Sequence, residues 1–100
     1  MPTFVIIAYD GTDAQAPQRR LDARPKHLAF MQSQKEAGIV QLAVALQNEA
    51  GTASIGSMLV LNVADESQVQ AYLKEEPYVQ AGVWQHITTH LGAIPPLFHH

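Results

Sequence analysis

Two almost unbroken apolar runs, residues 4–9 and 58–63, limit what this chain can fold into, and Asn62 is the one polar residue within them. Each run has the length of a β-strand, and a strand without polar alternation is typically buried on both of its faces. Residues 39–46 and 83–91 instead alternate between apolar and polar side chains, which is typical of strands with one better-buried face. These two runs therefore predict the inner strands of a sheet, and the alternating segments predict its edges.

A helical pattern follows the first strand. It predicts a helix over about residues 20–37, ended by Gly38, and its core-facing side would carry Leu21, Leu28, Met31 and Lys35. Pro25 suits the first turn of a helix and not its interior, because proline lacks the N–H that an interior turn uses. The residues before Pro25 are therefore predicted to form a separate short turn.

A second helix is predicted between the third and fourth strands. Asp65 suits its N-cap, and Pro77 stops it. Spacings of three and four residues place one set of side chains on a common helix face, namely Val69, Tyr72, Leu73 and Glu76.

The resulting element order is β-α-β-β-α-β. This order is that of a ferredoxin-like α+β fold, with an antiparallel four-stranded sheet of strand order 4-1-3-2. Both helices would cover one sheet face, and the other face keeps apolar residues that need a cover. Two such sheets packed face to face form a dimeric α+β barrel, so we expect a homodimer or a higher homo-oligomer. One domain is expected over residues 1–100, with 93–100 as an irregular tail.

Composition argues against several classes of protein. The net charge is −3 and no basic stripe is present, so nucleic acid is not an expected partner. The absence of cysteine excludes disulfides and thiol chemistry. No apolar run approaches the length of a membrane span, and the first residues lack the features of a signal peptide. We therefore expect a cytoplasmic protein without a membrane partner.

His27 and Glu76 are the candidate catalytic residues. An imidazole titrates near neutrality and can serve as a general base or acid. Glu76 lies at the end of the second predicted helix, where the helix dipole disfavours an acidic side chain unless a cation such as Arg24 or His27 offsets it. The alternatives are a surface histidine bonded to a backbone carbonyl and an exposed glutamate.

Five further residues are candidates for binding a substrate, namely Arg20, Arg24, Asp10, Ser57 and Tyr78. The two arginines are four residues apart and can bind an anionic group, or they can pair with carboxylates that hold the fold. Asp10 ends one inner strand and Ser57 begins the other, where turn and cap roles compete with a role in a site. Tyr78 can orient a substrate or pack at a dimer interface.

The pair His86 and His90 does not predict a metal site. Within one strand the two side chains would lie about 13 Å apart, because each residue rises about 3.3 Å. The sequence also lacks a phosphate-binding loop, a zinc-ligand spacing and a Ser-His-Asp order. We therefore predict no metal and no cofactor.

Four short motifs follow one another along the chain: Arg24-Pro25-Lys26-His27, Gly56-Ser57, Glu76-Pro77-Tyr78 and Ala81-Gly82. Their order and spacing resemble the YciI-like (YCII-related domain) family of small bacterial proteins, whose pattern is R-P-x-H, G-S, D-P-Y or D-P-F, and A-G. The resemblance extends from Phe4 to about Leu91. The chain departs from the pattern at Glu76, where the family has the shorter aspartate. It also lacks the glycine that the family has near the end of the second strand, and this change suggests a reshaped pocket.

The resemblance implies the dimeric α+β-barrel architecture and a small organic ligand. Members and barrel relatives are associated with lactone isomerisation and with dehydrochlorination of aromatic breakdown products. The implied activity is isomerase- or lyase-like proton transfer without metal or cofactor, with His27 as the base and Glu76 orienting it. The alternatives are a non-catalytic ligand-binding module and a structural dimerisation domain. A contact between His27 and a carboxylate inside a solvent-reachable pocket would favour the enzyme.

Overall fold

A computed structural model describes residues 2–99 of the chain. Its elements are, in order, β1 (Thr3–Asp10), α1 (Ala16–Glu36), β2 (Val40–Gln47), β3 (Ser54–Asn62), α2 (Glu66–Glu75), α3 (Pro77–Gln80), β4 (Trp84–Gly92) and a 3₁₀ turn (Pro96–Phe98). The predicted α+β order is confirmed, and a short helix that was not predicted, α3, begins at Pro77. The tail is irregular apart from the 3₁₀ turn, and His100 lies outside the described residues. No helix within residues 2–99 is both long and apolar enough to cross a membrane.

The four strands form one antiparallel sheet in the order β2-β3-β1-β4. This is the predicted order 4-1-3-2, with the two apolar runs in the centre. Ile6 and Leu59 are direct partners across the central pair of strands and are 0% and 1% exposed. Both side chains belong to the core cluster on the sheet face that the helices cover, and this position buries them.

The helices pack on one face of the sheet and form the core with it. Side chains of β1 and β3 contact side chains of all three helices there, and the cluster includes Phe4, Ile6, Ala8, Leu59, Leu61, Ala23, Val69, Tyr72, Leu73 and Tyr78. Burial of apolar area of this kind contributes roughly 25 cal/mol per Å² and is the main favourable term for the fold.

The opposite face, here called the open sheet face, has no helix over it. It carries Tyr9, Leu42 and Val44, which are 47%, 53% and 41% exposed, and half-buried apolar residues of the central strands. Isolated exposed apolar residues are ordinary on a protein surface, but a contiguous set on one sheet face is typical of an interaction surface.

Helix α1 differs from its prediction in two ways. It begins at Ala16 and continues through Pro25 without a break. Because Pro25 has no N–H, the Leu21 carbonyl lacks its helical hydrogen bond. Leu21 is 63% exposed, so water can donate a hydrogen bond to this carbonyl instead. Of the side chains expected to face the core, Met31 packs partly against it, whereas Leu21, Leu28 and Lys35 are exposed. The residues that α1 buries are Ala16, Ala23 and His27.

Helices α2 and α3 meet at a sharp corner. The Asp65 carboxylate accepts a hydrogen bond from the Gln68 N–H and so caps α2 as predicted. Pro77 occupies the first turn of α3, where its missing N–H has no cost. After α3 the chain turns at Gly82 with φ +72°, a conformation that glycine adopts readily, which explains the Ala81-Gly82 motif.

Candidate functional site

The side chains of His27 and Glu76 are in direct contact inside the protein. His27 Nδ1 lies 2.5 Å from Glu76 Oε1. Glu76 is 0% exposed and His27 is 8% exposed, so neither residue is the exposed surface group of the alternative interpretation. A hydrogen bond between two such groups is short and charge-assisted when either one is ionised.

Glu76 is placed at the corner between α2 and α3. Its Oε1 accepts from the backbone N–H of Tyr78, so the side chain caps α3, and its Oε2 accepts from the hydroxyl of Tyr72, one helical turn earlier. Together with His27, three groups surround the carboxylate: the Tyr78 N–H donates to it, and the Tyr72 hydroxyl donates to it when the carboxylate is ionised. These contacts offset the unfavourable position at the end of α2. Burial, and then the negative charge of Glu76, raise the pKa of the Tyr72 hydroxyl.

Aromatic rings enclose the other sides of the imidazole. The Tyr78 ring stacks on the His27 ring at a centroid distance of 3.8 Å and an interplanar angle of 7°. Trp84 stands edge-on to both rings, with centroids 5.9 Å from His27 and 5.7 Å from Tyr78. The rings fix the plane of the imidazole, because rotation of His27 would collide with Tyr78.

A second polar cluster lies beside the first, on the other side of the Tyr78 ring. Arg20 donates from one guanidinium nitrogen to both Asp10 oxygens at 2.9 and 3.0 Å, and from another to the Gly56 carbonyl and the Ser57 hydroxyl at 3.3 Å each. Its guanidinium carbon lies 4.9 Å from the centroid of the Tyr78 ring, in cation–π range. The ring of Tyr78 is therefore sandwiched between Arg20 and His27.

The backbone explains how β1 and β3 supply this second cluster. Because these strands are antiparallel, the end of β1 and the start of β3 meet at one edge, where Tyr9 pairs with Gly56 and Ala8 with Ser57. A side chain at position 56 would collide with the carbonyl oxygen of Ala8. The Gly56-Ser57 motif thus allows close approach of the strands and presents a carbonyl and a hydroxyl to Arg20.

A cleft of about 860 Å³ opens at this edge of the sheet. Its lining includes Asp10, Arg20, Arg24, Leu21, Ile55 and His86. His27, Tyr78 and Ser57 do not line it, because Arg20 and the Tyr78 ring lie between the cleft and the imidazole. The structure thus brings His27 together with a carboxylate, but the imidazole lies one layer behind the cleft.

The remaining candidates have distinct surroundings. Arg24 is exposed, lines the cleft and makes no hydrogen bond or ion pair within residues 2–99, so it does not contact Glu76. The partner of Arg20 is Asp10, while Asp13 pairs with Arg19 at 2.6 Å. His86 and His90 belong to the open sheet face, opposite Tyr9 and Val5. Between Pro2 and His99 no three His, Asp or Glu side chains are grouped as metal ligands would be.

The sequence analysis assigned no role to Tyr72 or Trp84, although both belong to the site. Tyr72 is four residues before Glu76 on the predicted apolar helix face, and this spacing brings two helical side chains into contact. Tyr72 and Glu76 each carry a polar atom, and both side chains were predicted to face the core. This combination could have identified their hydrogen bond. Trp84 had no comparable signal, since its contact with His27 depends on how β4 lies against α1.

Comparison with known proteins identifies the family. The profile of the YCII-related domain matches residues 2–89. The chain belongs to this family. It is 32% identical over 90 residues to Protein YciI of Escherichia coli O6:H1, a match that covers 85% of this chain and 90% of the relative. The resemblance inferred from the four motifs is therefore confirmed.

Solved structures support the same fold. The chain resembles 5-chloro-2-hydroxyhydroquinone dehydrochlorinase of Burkholderia phenoliruptrix AC1100, solved in complex with 2,5-dihydroxybenzoquinone, with a TM-score of 0.74 and 20% identity over 88% of this chain and 90% of that one. A dimeric ferredoxin-like protein from an uncultured marine organism matches with a TM-score of 0.53 and 14% identity over 94% and 98%. The ferredoxin-like fold predicted for this YCII-related chain is thus confirmed.

Proposed function

We propose that this YCII-related protein is a small-molecule enzyme of isomerase or lyase type, in which His27 moves a proton with Glu76 as its partner. The observation that carries the proposal is the 2.5 Å contact between His27 Nδ1 and the fully buried Glu76 carboxylate. A carboxylate that accepts a hydrogen bond from Nδ1 leaves the lone pair on Nε2, so that this nitrogen can act as a base.

In the proposed reaction, Nε2 removes a proton from an acidic C–H or O–H group of the substrate. The imidazolium that forms is stabilised by Glu76, and the electron pair moves into the substrate. An isomerase then returns the proton to another atom of the substrate, and a lyase lets a leaving group depart with the electron pair. Neither route needs a metal or a redox cofactor. The similarity to the dehydrochlorinase supports the second route, because loss of HCl is a proton transfer coupled to loss of chloride.

Proton transfer is measured by incubating the protein in D₂O with 5-chloro-2-hydroxyhydroquinone and following deuterium incorporation by NMR and chloride release by an electrode. We expect His27→Ala to lower the rate by about 10²–10⁴-fold, as for removal of a general base. Glu75→Gln is the control, since Glu75 is the exposed neighbour of Glu76. An unchanged rate in His27→Ala would contradict the proposal.

A non-catalytic ligand-binding module is the second candidate. It is favoured by one observation: Arg20 and Asp10 line the cleft, whereas His27 lies behind the Tyr78 ring. This candidate predicts that small molecules bind the wild-type protein and dissociate unchanged. Mass spectrometry of a ligand that co-purifies with the protein, before and after long incubation, separates the two candidates.

We also propose that two copies pair through the open sheet face, giving the dimeric α+β barrel. The exposure of Tyr9, Leu42 and Val44 on a face without helices supports this arrangement. An interface of the obligate kind buries more than about 2,000 Å² in total. Sedimentation should give about twice the chain mass of 10.9 kDa, and a compact monomer at micromolar concentration would refute the barrel. The cytoplasmic location stays a prediction from the sequence, which cell fractionation would test.

A further inference from the structure

The orientation of the His27 imidazole depends on the ring of Tyr78. Glu76 holds the imidazole at one atom, through the contact between its Oε1 and Nδ1. A single hydrogen bond of this kind leaves the ring plane free to turn about the line that joins the two atoms. The Tyr78 ring, parallel to the imidazole at a centroid distance of 3.8 Å and an interplanar angle of 7°, removes this freedom on one face. The direction of Nε2 therefore follows the position of the Tyr78 ring.

The backbone alone does not hold the Tyr78 ring in place. Tyr78 belongs to α3, a helix of 4 residues, and its N–H donates to Glu76, which fixes the main chain but not the side-chain torsions. The ring is held by its neighbours. Trp84 stands edge-on at a centroid distance of 5.7 Å, and the face opposite His27 is covered by the Arg20 guanidinium, whose central carbon lies 4.9 Å from the ring centroid. Because a planar cation is attracted to an aromatic face, Arg20 closes this side of the ring.

Arg20 can hold the ring because its own guanidinium is fixed by four hydrogen bonds. One terminal nitrogen donates to both Asp10 oxygens, and the other donates to the Gly56 carbonyl and the Ser57 hydroxyl. These acceptors belong to the end of β1 and the start of β3, which are paired strands. Because the guanidinium is a rigid plane, contacts at both terminal nitrogens fix its orientation as well as its position. The edge of the sheet is therefore joined rigidly to the aromatic ring that Arg20 covers.

These contacts distinguish Arg20 from a residue that binds a substrate. Arg20 lines the cleft, but both of its terminal nitrogens already donate to protein acceptors, so a bound molecule would have to displace Asp10 or the sheet edge. Arg20 also differs from an ion pair that only joins two parts of the fold. The neighbouring pair of Arg19 and Asp13 is of that kind, and its side chains are 30% and 50% exposed, against 14% and 7% for Arg20 and Asp10. Arg20 combines a buried ion pair with a guanidinium face that lies on the Tyr78 ring.

We propose that Arg20 is a positioning residue, which holds the Tyr78 ring against the imidazole and so keeps Nε2 of His27 in one direction. The inference rests on the proposed function, because the direction of Nε2 matters only if that nitrogen moves a proton. It gives Arg20 a role that acts through another side chain, in place of a contact with the substrate. Misplacement of a reacting group by about 1 Å can cost on the order of 10²-fold in rate, so loss of the Arg20 contacts should lower kcat. KM should stay nearly the same, since no substrate contact is lost.

The test replaces Arg20 by lysine, which keeps the positive charge but lacks the planar fork. The readout is the chemical shift of the carbon-bound protons of the His27 ring in ¹H–¹³C spectra, because the imidazole lies against the Tyr78 face and senses its ring current. We expect these protons to move towards the shifts of an exposed histidine in Arg20→Lys. They should move less, in the same direction, in Ser57→Ala, which removes one acceptor of Arg20. Arg19→Lys is the matched control, the same substitution one residue earlier, and should leave them unchanged.

Turnover is the second readout. With 5-chloro-2-hydroxyhydroquinone as the substrate, we expect Arg20→Lys to lower kcat by about 10–10²-fold while KM stays within about twofold of wild type. A raised KM at an unchanged kcat would overturn the inference, because Arg20 would then bind the substrate. A lowered melting temperature with wild-type His27 shifts would also overturn it, because Arg20 would then only support the fold.

The shift of the His27 protons needs no turnover, so it separates this inference from the proposed function. If these protons move in Arg20→Lys while His27→Ala retains full turnover, the positioning of the ring stands and the proposed function alone fails. If they stay unchanged while His27→Ala abolishes turnover, the inference alone fails. Should Arg20→Lys not fold, Ser57→Ala decides, and His27 shifts equal to those of wild type in that variant would contradict the inference.

Discussion

Helices α1 and α2 pack against the same sheet face, but only α1 turns a titratable side chain, His27, towards the core along with its apolar ones. Helix α2 buries Leu73 and its apolar neighbours, as the spacing along the sequence predicts. Helix α1 exposes Leu21 and Leu28 and turns Ala23 and His27 inward. Apolar spacing therefore identifies the buried face of a helix only where that face contacts the apolar core alone.

The inward face of α1 meets charged partners that other elements supply. Asp10 at the end of β1 pairs with Arg20, and Glu76 at the corner of α2 and α3 pairs with His27. Burial of a charged or titratable group is costly without such partners and acceptable with them. The small side chain of Ala23, between the two pairs, leaves room for the Tyr78 ring to enter between Arg20 and His27.

The largest effect that this comparison predicts is at Glu76. Glu76→Gln keeps the shape of the side chain but presents an N–H₂ to groups that already donate, so we expect a loss of about 3–5 kcal/mol in the free energy of unfolding, as when one member of a buried pair is removed. The matched control is Glu75→Gln, an exposed neighbour, which should stay within about 0.5 kcal/mol of wild type. Urea denaturation measures both. Equal stability of the two variants would mean that the buried pair contributes nothing to the fold.

The contrast between the helices is tested by replacing one leucine with alanine in each helix. Leu73→Ala in α2 removes a side chain that is 7% exposed and should cost about 2–5 kcal/mol. Leu28→Ala in α1 removes one that is 47% exposed and should change stability by less than about 0.5 kcal/mol. Thermal or urea unfolding gives both values. A large loss in Leu28→Ala would restore the orientation of α1 that the sequence predicted.

The sheet and the two long helices show which parts of the fold could be predicted from the sequence and which could not. The strand order followed from two apolar runs, because a run without polar alternation is typical of an inner strand. The buried face of α2 followed from 3.6-residue spacing, and the pairing of His27 with Glu76 was proposed from the order of the motifs. The orientation of α1 did not follow, since two of its inward residues, Arg20 and His27, are polar and depend on Asp10 and Glu76, which are close to them only in the fold. The stacking of Tyr78 between Arg20 and His27 was likewise invisible in the sequence.

A smaller effect is expected at the hydroxyl that supports the buried pair. Tyr72→Phe leaves Glu76 Oε2 without its donor and should cost about 1–3 kcal/mol. The pKa of Tyr72 is raised, so the folded protein holds a proton that the unfolded chain releases above about pH 10. Stability should therefore fall with rising pH above this value in wild type, and less so in Tyr72→Phe.

The smallest effect concerns the exposed ion pair at the start of α1. The hydrogen bond with Arg19 lowers the pKa of Asp13 from 3.8 to about 2. A lowered pKa stabilises the folded state above pH 3.8, and this contribution is lost as the pH falls towards 2. Asp13→Asn should therefore differ slightly from wild type at neutral pH and converge with it near pH 2. A constant difference across that range would show that the pair is not responsible, and added salt should also reduce it.

The proton on His27 Nδ1 tests the central claim most directly. If Glu76 accepts from this nitrogen, long-range ¹H–¹⁵N spectra of the neutral imidazole should show Nδ1 protonated and Nε2 carrying the lone pair. The spectrum should change in Glu76→Gln and not in Glu75→Gln. A neutral His27 protonated on Nε2, with the lone pair on Nδ1 facing the carboxylate, would contradict both the pairing and the role of His27 as a base.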